Sequence, residues 1–319
     1  MNKDYSKMRF IFWGTGRFAE IILADMIKNG LKPALVVTAP DKKTGRKQIL
    51  TASLVKQLAL VNHINVLQPV NLNANQEIVE EIRRNKIEFG LVADYGSLIP
   101  KAIIDLPDKK TLNIHPSLLP KYRGASPIQQ VILNSDQETG VSVIVLDDKL
   151  DHGPLLAQRK IHLSGQETFN YLLESLAHNG CEIFFSSVFD YLDGKLIAIP
   201  QNDTFASYCR EIKKDEGFIK FMQPAEVIAR MLRAFSPWPG VFFKSKELNK
   251  EVKILSGSEF KTKLKQKIEI GKIVIFNKQL LLTCAHQTFF QINQVIVSGK
   301  KEMSSQEFIN GYGKYLDLI

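Results

Sequence analysis

IFWGTGRFAE, residues Ile11 to Glu20, is the stretch whose reading decides the fold. It closes an apolar run from Met8 to Trp13 and opens a helix-period run from Phe18 to Ile27, so it reads as strand, tight turn, helix. Gly14, Gly16 and Ala19 also stand in the G-x-G-x-x-G/A spacing of a dinucleotide-binding turn. In such a site the second strand ends on an acidic residue that accepts a ribose hydroxyl. Here that strand ends Val36-Val37-Thr38, and the nearest carboxylate, Asp41, follows only after Pro40. The glycines therefore read as a packing turn, and NAD is not expected.

The strand-helix rhythm continues outward from this unit. Apolar runs at Arg9 to Trp13, Ala34 to Thr38, Gly90 to Ala93, Thr111 to Ile114 and Val141 to Leu146 read as strands. Helical segments fall between them near Phe18 to Ile27, Leu54 to Ala59, Gln76 to Arg84 and Ile128 to Leu133, and a long one runs from Thr168 to Leu192. Strands apolar throughout, separated by helices, imply a Rossmann-like, doubly wound, mostly parallel sheet covered on both faces. Its function belongs at the carboxyl ends of the strands.

After the polar loop Ile199 to Ala206 the rhythm changes. A helix from Pro224 to Phe235 precedes short strands near Val241 to Lys244, Lys253 to Leu255, Lys272 to Phe276, Gln279 to Cys284 and Phe289 to Val297. That pattern fits a small OB-type β-barrel. The expected division is therefore residues 1–206 and 207–319.

Composition limits the partners. Of the net charge of +9, residues 207–319 carry +8 (19 Lys and Arg against 11 Asp and Glu), leaving +1 for residues 1–206. A basic half beside a near-neutral half suits a polyanion bound by one domain while chemistry runs in the other, although a lysine-rich solvated face looks the same. Cys181, Cys209 and Cys284 are widely spaced, with no C-x-x-C pair, so neither a disulfide framework nor a thiolate zinc site is expected, and no metal. MNKDYSK does not read as a secretory signal, and no apolar stretch approaches 18 residues, so the expectation is a cytoplasmic protein without a membrane.

The densest cluster of unusual residues is TLNIHPSLLPKYRGASP, Thr111 to Pro127. Strand alternation puts Asn113 and His115 on one side at the end of a central strand, and Pro116 then stops the ladder. An amide and an imidazole at the mouth of a parallel sheet can stabilise an oxyanion and move a proton, although an isolated Asn-x-His is also what a structural hydrogen-bonded pair looks like. The apolar run Val141 to Leu146 leads into Asp147, Asp148, Asp151 and His152. One of these carboxylates is a candidate to orient His115, and the others read as a solvated turn.

These residues carry a resemblance. Asn113-Ile114-His115, Ser117-Leu118-Leu119-Pro120 with Tyr122-Arg123-Gly124, and Leu150-Asp151-His152-Gly153 together resemble the folate-dependent formyltransferases, which use 10-formyltetrahydrofolate. Thr38 to Asp41 with Gly45-Arg46 and Val55-Lys56, the segment Ser207 to Lys220, Arg233-Ala234-Phe235-Ser236-Pro237-Trp238-Pro239 and Gly299 to Ser304 are similar to the branch of that family acting on methionyl-tRNA. The combination covers nearly the whole chain in order.

The resemblance implies transfer of a formyl group from 10-formyltetrahydrofolate to the α-amine of initiator methionyl-tRNA. It assigns the catalytic roles to Asn113, His115 and Asp151, the first two stabilising an oxyanion and Asp151 holding His115 and helping to pass the proton. It puts Ser117, Leu118, Leu119 and Pro120 around the pterin with Tyr95 and Gly96, Leu98 and Ile99 adding apolar walls, and lets backbone groups read the ring's edges. The loop Ala39 to Thr51 would meet the acceptor stem of the tRNA through Lys42, Lys43, Arg46 and Lys47, and the basic C-terminal domain would track phosphates. No stable protein partner is implied, so a monomer is expected. Three positions depart from the family pattern: Gly16 stands where proline is usual, Pro116 where glycine is frequent, and Asp94 where a small residue is frequent. Rival expectations are a small amino sugar or ribonucleotide as acceptor, a nucleotide-dependent oxidoreductase, and a catalytically silent RNA-binding protein.

Overall fold

The computed structural model describes residues 8–45, 48–73, 75–220, 222–245, 248–262 and 267–318. In chain order the first elements are β1 (Phe10–Trp13), α1 (Arg17–Lys28), β2 (Leu35–Val37), β3 (Lys42–Thr44), β4 (Ile49–Thr51), α2 (Leu54–Val61), β5 (Asn65–Leu67) and α3 (Gln76–Arg84). Then come β6 (Phe89–Val92), α4 (Lys101–Ile104), β7 (Thr111–His115), β8 (Arg123–Gly124), α5 (Pro127–Asn134), β9 (Glu138–Val145), β10 (Leu155–His162), α6 (Phe169–Leu192) and β11 (Tyr208–Cys209). The rest are α7 (Ala225–Phe235), β12 (Val241–Ser245), β13 (Lys250–Phe260), β14 (Ile273–Phe276), β15 (Gln279–Thr283), β16 (Phe289–Val297), β17 (Glu302–Ser304), α8 (Ser305–Tyr312) and β18 (Asp317–Leu318). The chain divides into two compact units, one comprising Met1–Pro127, Glu138–His162 and Tyr171–Arg210, the other Ile128–Gln137, Leu163–Asn170 and Glu211–Ile319.

The first unit is built on a seven-stranded sheet in the order β10-β9-β7-β6-β1-β2-β5. β7, β6, β1, β2 and β5 are mutually parallel, and β9 and β10 join antiparallel at one edge. Every residue of β1, β6 and β7 is buried, as strands covered on both faces must be. Alternation sorts them: Ile11 and Trp13 pack with Ile78 and Ile82 of α3 and Ile103 and Ile104 of α4, whereas Phe10 stacks on Phe89, which meets Phe184 of α6. Gly180 of α6 lets that helix close on the sheet, since a Cβ there would lie 2.6 Å from Ile114 Cγ2 and 3.0 Å from Val141 Cγ2. Ile114 thus faces α6, and Asn113 and His115 point the other way.

Sequence order reverses between β1 and β6, so the crevice of this sheet opens at their carboxyl ends. Two loops meet there, with the Thr15 N–H donating to the Asp94 carbonyl at 3.0 Å. The antiparallel edge strand β10 and the short edge strand β5 were not among the expected strands. The segment Ala39 to Thr51, expected as a loop, forms the hairpin β3–β4, paired from Lys42 with Thr51 to Thr44 with Ile49.

The second unit carries a mainly antiparallel sheet in the order β12-β13-β16-β15-β14-β18, with β17 on the outer part of β16. Among the described residues no pairing joins β12 to β18, so the sheet is open and no closed barrel forms. The long strand β13 changes register against β16 between Ile254 and Gly257, which bends it. Ile268, Val274, Leu281 and Phe289 form part of its core. Among the described residues no helix is long and apolar enough to cross a membrane.

Candidate active site

Three elements of the first unit converge at the carboxyl end of β7. The strand brings Asn113 and His115, the loop from Pro116 to Ser126 supplies backbone groups, and the turn after β9 supplies Asp151. All three side chains are buried. Asn113 Nδ2 donates to Asp151 Oδ1 at 3.2 Å, the Gly124 N–H donates to Asp151 Oδ2 at 2.8 Å, and His115 Nδ1 lies 3.6 Å from the same Oδ2. His115 Nε2 is 2.9 Å from the Tyr122 carbonyl, which only accepts, so Nε2 carries the hydrogen.

The backbone makes this possible at two positions of positive φ. Asp151 sits at φ 48°, uncommon for a residue with a Cβ, and Gly124 at φ 115°, which glycine adopts freely. A Cβ on Gly124 would also run into the Cys209 carbonyl oxygen, because β8 pairs with β11 there. Of the three carboxylates Asp147, Asp148 and Asp151, it is Asp151 that enters the site. Asp147 instead meets His152 Nδ1 at 2.7 Å and accepts from the Lys149 N–H, and Asp148 is exposed in the turn.

The loop Ser117 to Pro120 is held from beneath. Ser142 of β9, fully buried, donates from Oγ to the Ser117 carbonyl at 2.6 Å and accepts from the Leu119 N–H at 3.2 Å. Gln158 of β10 donates to the Leu119 carbonyl at 2.9 Å, Lys121 N–H to the Leu118 carbonyl, and Ser207 N–H to the Pro120 carbonyl. The Ser117 N–H closes on the His115 carbonyl. Most of the backbone groups expected to read a pterin are thus committed within the protein. Leu119 and Ile99 are core residues, Leu98 is exposed, and Leu118 packs over Gly140.

Across the crevice, Tyr95 stacks edge-on against Trp13 with centroids 5.4 Å apart, and burial pushes its phenol up to about 12. Gly96 is exposed. Asp94, at φ 46°, keeps its residue surface open to solvent while its carboxyl lies deep among protein atoms beside Gly16. That enclosure, opposed by a hydrogen bond from the Gly16 backbone, raises its pKa to about 6.

Lys42 and Lys43 lie exposed on β3, beside the exposed apolar side chains of Ile49 and Leu50. Arg46 and Lys47 lie outside the described residues. Among the described residues no group of three metal-ligating side chains assembles.

Several groups complete the site to which the sequence assigned no role, Arg123 among them although it stands in the motif Tyr122-Arg123-Gly124. Arg123, whose side chain is 1 % exposed, donates from Nε (3.2 Å) and Nη2 (2.9 Å) to Gln201 Oε1 and from Nη2 to Asp203 at 2.7 Å. Gln201 Nε2 in turn reaches the Asp151 and Gly153 carbonyls. Gln201 and Asp203 sit in a short polar loop, where nothing local distinguishes them from solvated residues.

A mostly parallel α/β sheet with an amide, an imidazole and a carboxylate gathered at a strand mouth defines the class of a group-transfer enzyme. Residues 6–188 match the family described as Formyl transferase, and residues 211–313 match Formyl transferase, C-terminal domain. The chain belongs to the formyl transferase family.

Its curated relatives make this narrower. It is similar to the methionyl-tRNA formyltransferase of Dictyoglomus turgidum, 38% identical over 309 residues and covering 96% of both chains. It is also similar to the methionyl-tRNA formyltransferase of Methylacidiphilum infernorum, 37% identical over 307 residues and 95% of both. Among solved structures it shares the fold of HypX from Aquifex aeolicus in complex with tetrahydrofolic acid, with TM-score 0.65 and 15% identity over 98% of this chain and 49% of that one. An N-formyltransferase from Helicobacter canadensis, with TM-score 0.63 and 19% identity, covers 89% of this chain and 98% of its own.

Proposed function

We propose that this protein transfers the formyl group of 10-formyltetrahydrofolate to the α-amine of initiator methionyl-tRNA. The observation that carries the chemistry is the convergence of Asn113 and His115 on the two oxygens of Asp151. In the transfer a C–N bond forms to the amine, the C–N10 bond breaks, and one proton moves from the amine toward N10.

Asn113 uses one of its two N–H bonds on Asp151, so the second is available for the negative charge that develops on the formyl oxygen, a role typically worth about 3 kcal/mol in the barrier. His115 faces the Tyr122 carbonyl and Asp151, so its donation to that oxygen requires one of these contacts to give way. Asp151 holds both partners and is the base nearest the proton in transit. The amine itself needs little activation, because a free α-amino group has a pKa of about 8.

We assign the pterin to the space beside the loop Ser117, Leu118, Leu119 and Pro120 and beside Tyr95 and Gly96. Ser117 and Leu119 are buried behind that loop, so the faces of Leu118, Pro120 and Tyr95 rather than the committed loop backbone are the main contact. The acceptor end of the tRNA is assigned to the hairpin bearing Lys42 and Lys43 and the adjoining Arg46 and Lys47. We read residues 1–206 as the catalytic domain and the basic residues 207–319 as an OB-type platform for the phosphate backbone, the bent β13 suiting a partly open sheet of that kind. We read the protein as a monomer working in the cytoplasm.

The test is direct: the purified protein is mixed with 10-formyltetrahydrofolate and charged methionyl-tRNA, and formyl-methionine is followed after deacylation. Formylation dependent on the charged tRNA is expected. Formylation of a free amino sugar nucleotide with none of the tRNA would overturn the assignment of the acceptor.

A further inference from the structure

Asp151 is buried in the site, yet it has left-handed backbone and follows the exposed residues Asp148, Lys149 and Leu150. Something outside the turn has to hold it. Gln201 ties down its C-terminal side: its Nε2 donates to the Asp151 carbonyl at 2.9 Å and to the Gly153 carbonyl at 2.7 Å, spanning His152. Its Oε1 has no remaining freedom, since it accepts from two nitrogens of Arg123.

Arg123 is fixed in turn. Nη1 donates to the Tyr208 hydroxyl at 3.2 Å, the guanidinium lies 5.9 Å from the Tyr208 ring centroid, and its own N–H donates to the Ser207 carbonyl at 2.8 Å. Asp203, held below the usual carboxylate range chiefly by its Arg123 hydrogen bond, accepts from Nη2 and also faces His152 Nε2 at 3.4 Å. His152 closes the ring on Asp147. The residue after Arg123 is Gly124, whose N–H is the donor on Asp151 Oδ2. Arg123 therefore fixes that donor through the chain and the Asp151 backbone through Gln201.

We propose that Gln201, backed by Arg123, is a positioning residue that sets the Asp151 carboxylate against Asn113, His115 and the Gly124 N–H. It touches none of the reacting atoms. The inference rests on the proposed role of Asp151 in formyl transfer. A buried guanidinium that spends three nitrogens on one glutamine, one aspartate and one tyrosine is costly to arrange, and its product is a single fixed turn.

The experiment uses the full chain with Gln201→Glu, which keeps the acceptor for Arg123 and removes the donors to the turn, and Gln201→Met, which removes both. Expected for each is a fall in kcat of about 10- to 100-fold, the usual cost of loosening a residue that supports a reacting group, with the KM values for folate and acceptor within about twofold. Adding Gln201→Glu to Asp151→Asn should slow the enzyme no further, because the two act through one carboxylate. An unchanged kcat in both variants, or a full second loss in the double variant, overturns the proposal. The variants are read with whichever amine the wild-type protein formylates. A wild type inactive on methionyl-tRNA sinks the proposed acceptor, whereas an unimpaired Gln201 variant sinks the positioning role.

Discussion

Asp151→Asn keeps the shape of the side chain and removes its charge, so its consequences can be worked atom by atom. The carboxylate accepts from the Gly124 N–H at 2.8 Å and from Asn113 Nδ2 at 3.2 Å, and an amide can accept only one of these on its single oxygen. The Gly124 donor is backbone and cannot turn, so the oxygen goes there. The new NH2 group then faces the NH2 of Asn113, two donors in contact, and the cheapest repair is a flip of the Asn113 amide. That flip takes the second N–H of Asn113 away from the formyl oxygen. Loss of one such donor costs about 3 kcal/mol, or roughly 10²- to 10³-fold in kcat. The missing charge opposite His115 Nδ1 adds to it, as proton transfer by a positioned group contributes about 10²-fold or more. The binding surface for RNA is untouched, so the Kd for methionyl-tRNA should stay within about twofold while single-turnover formylation falls by at least about 10²-fold. A loss under about tenfold, or an equal loss of tRNA affinity, would refute the reasoning and make Asp151 a structural residue.

Three further outcomes are expected. Replacing Lys42 and Lys43 by alanine should weaken tRNA binding and reduce the slope of log affinity against log salt by about one per lysine, with folate KM unchanged; an unaltered slope would remove both from the interface. Asp94→Asn should stabilise the protein at pH 7.5 and not at pH 4, because a carboxyl raised to about 6 from 3.8 favours the folded state below its unfolded value and loses that contribution as pH rises through about 6. With its exposed surface allowed for, the gain is about 1 kcal/mol, and an equal change in melting temperature at both pH values would contradict the assignment. Gly180→Ala places a methyl against Ile114 and Val141, a strain of about 1–3 kcal/mol against about 1 kcal/mol of helix gain; a net loss is expected by denaturant titration, and a gain would mean that α6 does not press on β7.

How far the sequence led depended on the range of the interactions. The parallel strands were legible because their apolar runs are continuous, a local pattern set by burial on both faces. β10 was not, because Leu155 to His162 lies at a sheet edge with only Leu156 buried and the rest half-buried or exposed, so it has no continuous apolar run. The hairpin β3–β4 was missed because six lysines, threonines and apolar residues with exposed side chains carry no strand signature of burial. Asn113 and His115 were legible from strand alternation alone. Gln201 and Arg123 were not, because their effect on Asp151 joins positions 50 and 78 apart in sequence, and no local pattern encodes such a pairing.

Gly16, in the turn between β1 and α1, finds its reason in the same way. Gly16 and Asp94 stand where the resemblance leads one to expect proline and a small residue, yet in the fold they are one feature. A Cβ on Gly16 would run into Asp94 Oδ2, and the Gly16 backbone hydrogen-bonds the Asp94 carboxylate. Gly16 is the N-cap of α1 and has no side chain of its own to satisfy that end, so an Asp94 carboxyl oxygen accepts a backbone hydrogen bond there, a contact that an amide oxygen would keep. In a dinucleotide site this seat receives the pyrophosphate. Here the protein fills it with its own carboxylate, which disfavours a second anion. Restoring the family residue should then depend on the partner. Gly16→Pro alone both clashes with Asp94 and removes its N–H donor, and should lower stability by about 2 kcal/mol or more. Combined with Asp94→Ala, the same proline meets open space at a backbone φ of −86° that it nearly adopts by itself, and most of the loss should return. Denaturant titration of the four proteins gives the coupling, expected at about 1–3 kcal/mol for groups in contact. Strictly additive losses would show that the two departures arose independently and that the carboxylate does not hold the helix end.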